Sequence, residues 1–281
     1  MSDSIMQNEG TIRLSIFLGV LVIMALWEMA APRRALTESK PWRWIGNLGI
    51  VVVNTVVVRL LFPILAVGAA FWAEKNNIGL FNLISLPGWL EVAVAAALLD
   101  MAIYWQHRLF HMIPLFWRLH RMHHADPDFD VTTALRFHPL EIVASMVIKL
   151  ALVLILGPAA LAVLIFEVLL NGTAMFNHAN VRLPLGLDHW LRWLVVTPDM
   201  HRVHHSVESR EYNTNFGFNL PWWDRLFGSY RDQPGLGHGD MRIGLPAYGG
   251  AVCANLLWML VLPFKPLTDA PELEDDQNGK S

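Results

Sequence analysis

WQHRLFHMIPLFWRLHRMHH, residues 105–124, decides how this chain is read. It holds two histidine boxes. His107 and His111 are four residues apart; His120, His123 and His124 stand at i, i+3 and i+4. A third box, MHRVHH at 200–205, repeats the second pattern with His201, His204 and His205. On a helix these spacings put the side chains of each box on one face, as a metal site requires. Imidazole suits iron, zinc, copper and nickel. One ion rarely takes more than about six protein ligands, so eight histidines imply two ions.

The first box continues an apolar run. Asp100, Tyr104, His107 and His111 share one helical face, and a carboxylate at Asp100 is placed to accept a ring N–H or to pair with Arg59. Of the 281 residues 54% are hydrophobic and 16% charged, and mean hydropathy is +0.38. Soluble domains carry about 25% charged residues. The apolar surplus needs lipid, so the chain is expected to be an all-α integral membrane protein. The net charge of -3 gives no sign of nucleic acid as a partner, and the lone Cys253 excludes an internal disulfide and a cysteine-ligated cluster.

Candidate spans are 13–31, 46–73, 88–106, 140–156 and 158–176, the last two forming a hairpin at Gly157-Pro158. The run from Ile12 is too long for a signal sequence and lacks a basic leader, so it reads as a retained membrane helix. This gives a bundle of about four to five membrane helices, with 1–106 as N-terminal helices and 107–246 as the histidine-box region. The remainder, 247–281, is a short apolar segment, re-entrant or interfacial, and a disordered acidic tail from Pro266 onward. The loop 32–45 carries Arg33, Arg34, Lys40 and Arg43, whereas 74–87 carries only Lys75. The basic loop is expected on the cytoplasmic side, which brings all three boxes there as one histidine-rich cap. Eight tryptophans (Trp42, Trp44, Trp105, Trp117, Trp190, Trp193, Trp222 and Trp223) read as an interfacial belt.

Charges inside spans need partners. Lys149 and Glu167 lie eight and nine residues from the hairpin apex, so they are expected to pair; Arg59 and Asp100 match in depth in the same way. Four histidines lie outside the boxes. His178 follows the hairpin and is a candidate ligand. His138 precedes it and is a ligand, a hydrogen-bonding support for one, or a cap; His189 reads as interfacial and His238 as plain surface. Asp199 and Ser206 flank the third box as hydrogen-bonding supports for its ligands.

Together with RFHPLE (136–141), TPDMHRVHHS (197–206), YNTNFG (212–217) and WWDRLFGSY (222–230), the boxes resemble the fatty acid hydroxylase and sterol desaturase superfamily, and the upstream spans look like its bacterial members. The resemblance implies a helical membrane bundle with a cytoplasmic di-iron cap and use of O₂ and two electrons to hydroxylate or desaturate a lipid, in the bacterial inner membrane. It implies His107, His111, His120, His123, His124, His201, His204 and His205 as ligands, with His178 added. Where some relatives carry a further histidine near the hairpin's return, this chain has only His178, and His138 becomes the candidate tenth ligand. The two Fe ions are exchangeable for Zn on purification.

Two other classes compete. A membrane zinc hydrolase needs three or four ligands, often in H-E-x-x-H, which does not occur here. A metal transporter or another metal-binding membrane protein is the second; a transporter would place its ligands at mid-membrane, whereas these lie at span ends and in loops. There is no G-x-G-x-x-G fingerprint and no cytochrome b5 haem motif, so electrons are expected from a separate ferredoxin- or cytochrome b5-like donor. Arg118, Arg121, Arg136, Arg202, Arg210 and Arg225 are its candidate docking residues, or else bind headgroups and acids.

Overall fold

The computed structural model describes residues 6–266. Among these residues there is no β-strand, only isolated bridges such as Pro32 with Val181. The acidic tail falls outside the described residues.

Five segments are long and apolar enough to cross a membrane: Glu9–Ala30, Lys40–Asn82, Gly88–Met112, Pro139–Leu156 and Ala160–Asn177. The chain is an integral membrane protein. Helix α1 (Glu9–Ala30) carries exposed Leu14, Leu18, Val22, Ile23 and Leu26, a face suited to lipid. Lys40–Asn82 is not one helix. Helix α2 (Lys40–Leu61) stops at Phe62, because Pro63 cannot continue the ladder and disfavours helix before it, and α3 (Ala66–Lys75) restarts beyond. The expected span 46–73 is therefore two pieces.

Helix α4 (Gly88–Met112) has 25 residues, about 37 Å at 1.5 Å per residue. That exceeds a hydrocarbon core of about 30 Å, so part of the helix, which carries His107 and His111 at its C-terminal end, must lie outside the apolar slab. Ile113 is extended ahead of Pro114, and α5 (Pro114–His124) turns back with the second box. The hairpin is present as expected. Helix α6 (Pro139–Leu156) ends at Gly157, whose φ of 60° is a left-handed cap, and α7 (Ala160–Asn177) returns. Gly79 packs against the hairpin apex so closely that a Cβ there would lie 2.3 Å from the Gly157 nitrogen. Lys149 Nζ lies 2.8 Å from Glu167 Oε1, so that pair is real, and Arg13 adds a second cation at 2.9 Å.

Helix α7 packs on α1, α3 and α4, and α2 on α6, so the bundle holds α4 and α7 centrally. Beyond it lie the short helices α8 (Leu185–Leu191) and α9 (Pro198–His204), the latter capped by the Thr197 side chain and carrying the third box. The C-terminal helix Leu256–Val261 and the segments around it lie on α2 and α5. There Gly46 is required, because a Cβ on it would sit 2.0 Å from the Ala254 carbonyl oxygen.

Candidate metal centre

The three boxes, far apart in sequence, meet at one end of the bundle and sort into two groups. His107, His111, His120, His124 and His204 form one; His123, His178, His201 and His205 form the other. Within each group the candidate ligand atoms lie within 4.8 Å of one another, and all nine side chains are buried. The adjacent pairs His123-His124 and His204-His205 divide between the groups, because neighbours on a helix point about 100° apart. The double histidines that close α5 and α9, His205 being the cap residue of α9, thus contribute to both groups.

Hydrogen bonds fix the tautomers. His107 Nδ1 donates to the Phe216 carbonyl at 2.8 Å, His123 to Arg136 at 3.2 Å, His178 to Ala174 at 2.8 Å and His204 to Thr214 at 2.7 Å. His120 Nδ1 lies 2.6 Å from Glu141 Oε1. Each bond leaves Nε2 as a bare acceptor turned inward. His107 and His120 Nε2 then face each other at 3.1 Å, and so do His123 and His178. Two lone pairs cannot bond to each other, whereas a shared cation satisfies both. Both nitrogens of His124 and His205 are buried without a hydrogen-bond partner. Such groups are costly unless ligated. The donor set therefore fits two metal ions.

Burial pushes His120 and His178 down to about 3, and drives His123, His124, His201, His204 and His205 well below the usual imidazole range, with neighbouring rings adding to the effect. They are neutral near pH 7, the form in which imidazole ligates.

Several supporting residues differ from the sequence expectation. Asp100 touches no imidazole and no arginine. It accepts from the backbone N–H of Asn219 and Leu220 and from Trp223 Nε1 at 2.8 Å, which anchors the loop whose Phe216 carbonyl holds His107. Arg59 lines a cavity instead. Asp199 binds Arg33 at 3.0 Å and also Arg202, tying the 32–34 loop to α9 rather than orienting a ligand. His138 joins neither group. Its Nδ1 accepts the Leu140 N–H as the cap of α6, and its Nε2 meets the Leu260 carbonyl at 3.2 Å. His189 is exposed, and His238 is buried, not surface, at 3.6 Å from Asp199. Trp117 is fully buried with its ring 5.0 Å from that of His111, so it is a wall of the site and not part of a belt. Arg121, Arg136 and Arg202 are buried and bound to carbonyls or carboxylates, which removes them from any docking face.

The sequence reading passed over Glu141, although an acid in the first turn of an apolar helix was a signal. It also passed over the buried network beneath α5. There Arg43 binds Asp126 at 2.7 Å and Asp130 at 2.5 Å, and Asn47 joins them to Thr132 and Arg136.

A cavity of about 450 Å³ opens from the first group into the bundle. His107, His120 and Glu141 line it, with apolar Phe17, Ile103, Ile142 and Leu170 and with the charged side chains Arg13, Arg59, Lys149 and Glu167.

The membrane-length bundle thus carries at one end two buried imidazole clusters, each able to hold a metal ion, beside a cavity with apolar and charged walls. The chain belongs to the fatty acid hydroxylase and sterol desaturase superfamily, and residues 92–229 match the fatty acid hydroxylase family model. The chain is 24% identical over 264 residues to the ornithine lipid hydroxylase of Rhizobium tropici, covering 89% of this chain and 74% of that protein. It is 32% identical over 159 residues to human alkylglycerol monooxygenase, covering 56% of this chain and 34% of the enzyme. It is 26% identical over 157 residues to a Delta(7)-sterol 5(6)-desaturase of Gibberella zeae, covering 54% of this chain and 46% of that protein. The chain thus spans three quarters of the first relative and less than half of the other two. No solved structure matches it.

Proposed function

We propose that this protein is a membrane di-iron oxygenase that uses O₂ and two electrons from a separate donor to hydroxylate a lipid C–H bond. One iron is held by His107, His111, His120, His124 and His204, and the other by His123, His178, His201 and His205. The observation that carries this reading is the inward-facing Nε2 set, fixed by outer hydrogen bonds and opening on a chamber with an apolar wall. The metal pair supplies O₂ activation and C–H cleavage, chemistry no side chain here performs. The chain's own part is to orient and to exclude water. Phe17, Ile103 and Leu170 align an alkyl chain, Phe110 and Phe137 close the chamber around His120, and Glu141 holds His120 in register. The relatives include a hydroxylase, a monooxygenase and a desaturase, all oxidoreductases acting on lipids, and of these the one that shares the most of this chain is a hydroxylase, which supports hydroxylation. The basic 32–45 loop lies on the histidine side, where Arg33 binds Asp199 of α9, which supports a cytoplasmic metal centre. The electron donor is of ferredoxin or cytochrome b5 type.

The test is a lipid profile by mass spectrometry of cells grown under oxygen-18, expressing either the wild type or His123→Ala. A wild-type lipid gaining one labelled oxygen supports hydroxylation. A lipid two hydrogens lighter and unlabelled means desaturation. No difference, with protein and donor confirmed present, overturns the proposal.

A further inference from the structure

The cavity also has a charged wall away from the imidazoles, where it reaches the surface of the bundle: Arg59 is exposed, Arg13 and Lys149 are half-buried and Glu167 is buried. Arg13, Arg59, Lys149 and Glu167 all line it. Lys149 stands eight residues beyond Glu141 on α6, about 12 Å farther along the helix at 1.5 Å per residue. The charges there do not balance. Glu167 is shared by Lys149 at 2.8 Å and Arg13 at 2.9 Å, and Glu9 reaches only Arg13, at 3.5 Å. Arg59, exposed at the rim of the cavity in the last turn of α2, has no hydrogen bond or ion pair among the described residues, so three cations face two carboxylates. A charge in a membrane helix is costly and marks function when it faces a cavity. An arginine fork matches carboxylate or phosphate oxygens.

We propose that Arg59, backed by Lys149 and Arg13, receives the acidic group, carboxylate or phosphate, of the lipid whose alkyl chain runs along the apolar wall toward His107 and His120. The inference rests on reading this cavity as the substrate chamber. It adds a selection rule: lipids with an acidic group at one end are preferred over neutral lipids of equal chain length. The spacing between the charged wall and the imidazoles also sets which carbon lies beside them, counted from the acid.

The test is competition binding, which needs no turnover. Full-length protein in neutral phosphatidylcholine nanodiscs is loaded with a fluorescent alkyl probe, and palmitic acid, hexadecyl phosphate and methyl palmitate are compared as competitors. The wild type should prefer at least one of the two acids over the ester by about tenfold or more, the scale of a charge-assisted hydrogen bond. Whichever acid wins names the group. Arg59→Gln should lose the preference and Arg59→Lys should keep most of it, a pattern that a purely structural role for Arg59 would not produce. Equal binding of acids and ester in the wild type, or a preference that survives Arg59→Gln, overturns the proposal. A clear acid preference without any oxidised lipid in cells would instead count against the oxygenase reading alone.

Discussion

His120 and Glu141 are joined by a 2.6 Å contact between Nδ1 and a carboxylate oxygen, although they lie on different helices. The contact turns His120 Nε2 toward His107 and links the first imidazole group to the start of the membrane hairpin. Carboxylate–imidazole–metal arrangements of this kind typically change affinity or activity by about 10–100-fold when broken. Glu141→Ala is expected to lower iron retention and turnover on that scale, with Glu141→Gln intermediate. Iron content per chain after gel filtration checks it, and unchanged content in Glu141→Ala would remove the role.

His138 caps α6 and stands apart from both clusters. His138→Ala should cost about 1 kcal/mol, as for a lost helix cap. Its iron content should stay at the wild-type level. Loss of one iron in a folded His138→Ala protein would restore it as a ligand.

The distinction between His138 and the nine clustered histidines shows where sequence reading reaches its limit. Helical periodicity alone exposed the boxes, because ligands three and four apart must share a face. Equal counting from a hairpin apex exposed Lys149 with Glu167, because both helices leave the same turn. The same counting failed for Arg59 and Asp100. Pro63 breaks the helix just beyond Arg59, and the Asp100 oxygens are taken by N–H groups of the 216–223 loop, more than a hundred residues away. The burial of His238, Trp117 and three of the candidate docking arginines depends on loops folding back over the cluster, which no local pattern records.

Glu167 serves two cations. Glu167→Met would leave Lys149 and Arg13 facing each other without an anion, at about 3 kcal/mol or more. Lys149→Met leaves Arg13 on Glu167 and should be milder. Thermal unfolding in detergent orders the two variants, and the reverse order would refute the shared pairing.

Asp126 is fully buried, which raises its pKa, but Arg43 more than offsets this and holds it down at about 2. For an acid with a depressed folded value, the stabilisation is present above the unfolded pKa of about 3.9 and is lost as pH falls toward 2. At about 1.4 kcal/mol per pKa unit it is on the order of 2.5 kcal/mol. Asp126→Asn should flatten the melting temperature between about pH 4 and 2 relative to wild type. It should also be less stable near neutrality, because Arg43 loses a buried partner. Parallel pH profiles for the two proteins would contradict the assignment.

The most direct test of the central claim is Mössbauer spectroscopy, with iron quantified, on protein loaded anaerobically with iron-57. Two iron ions per chain in two signals of equal area are expected, since one centre has five imidazoles and the other four. His111→Ala should deplete one signal and His205→Ala the other. A single iron per chain, or both variants losing the same signal, would contradict two separate centres.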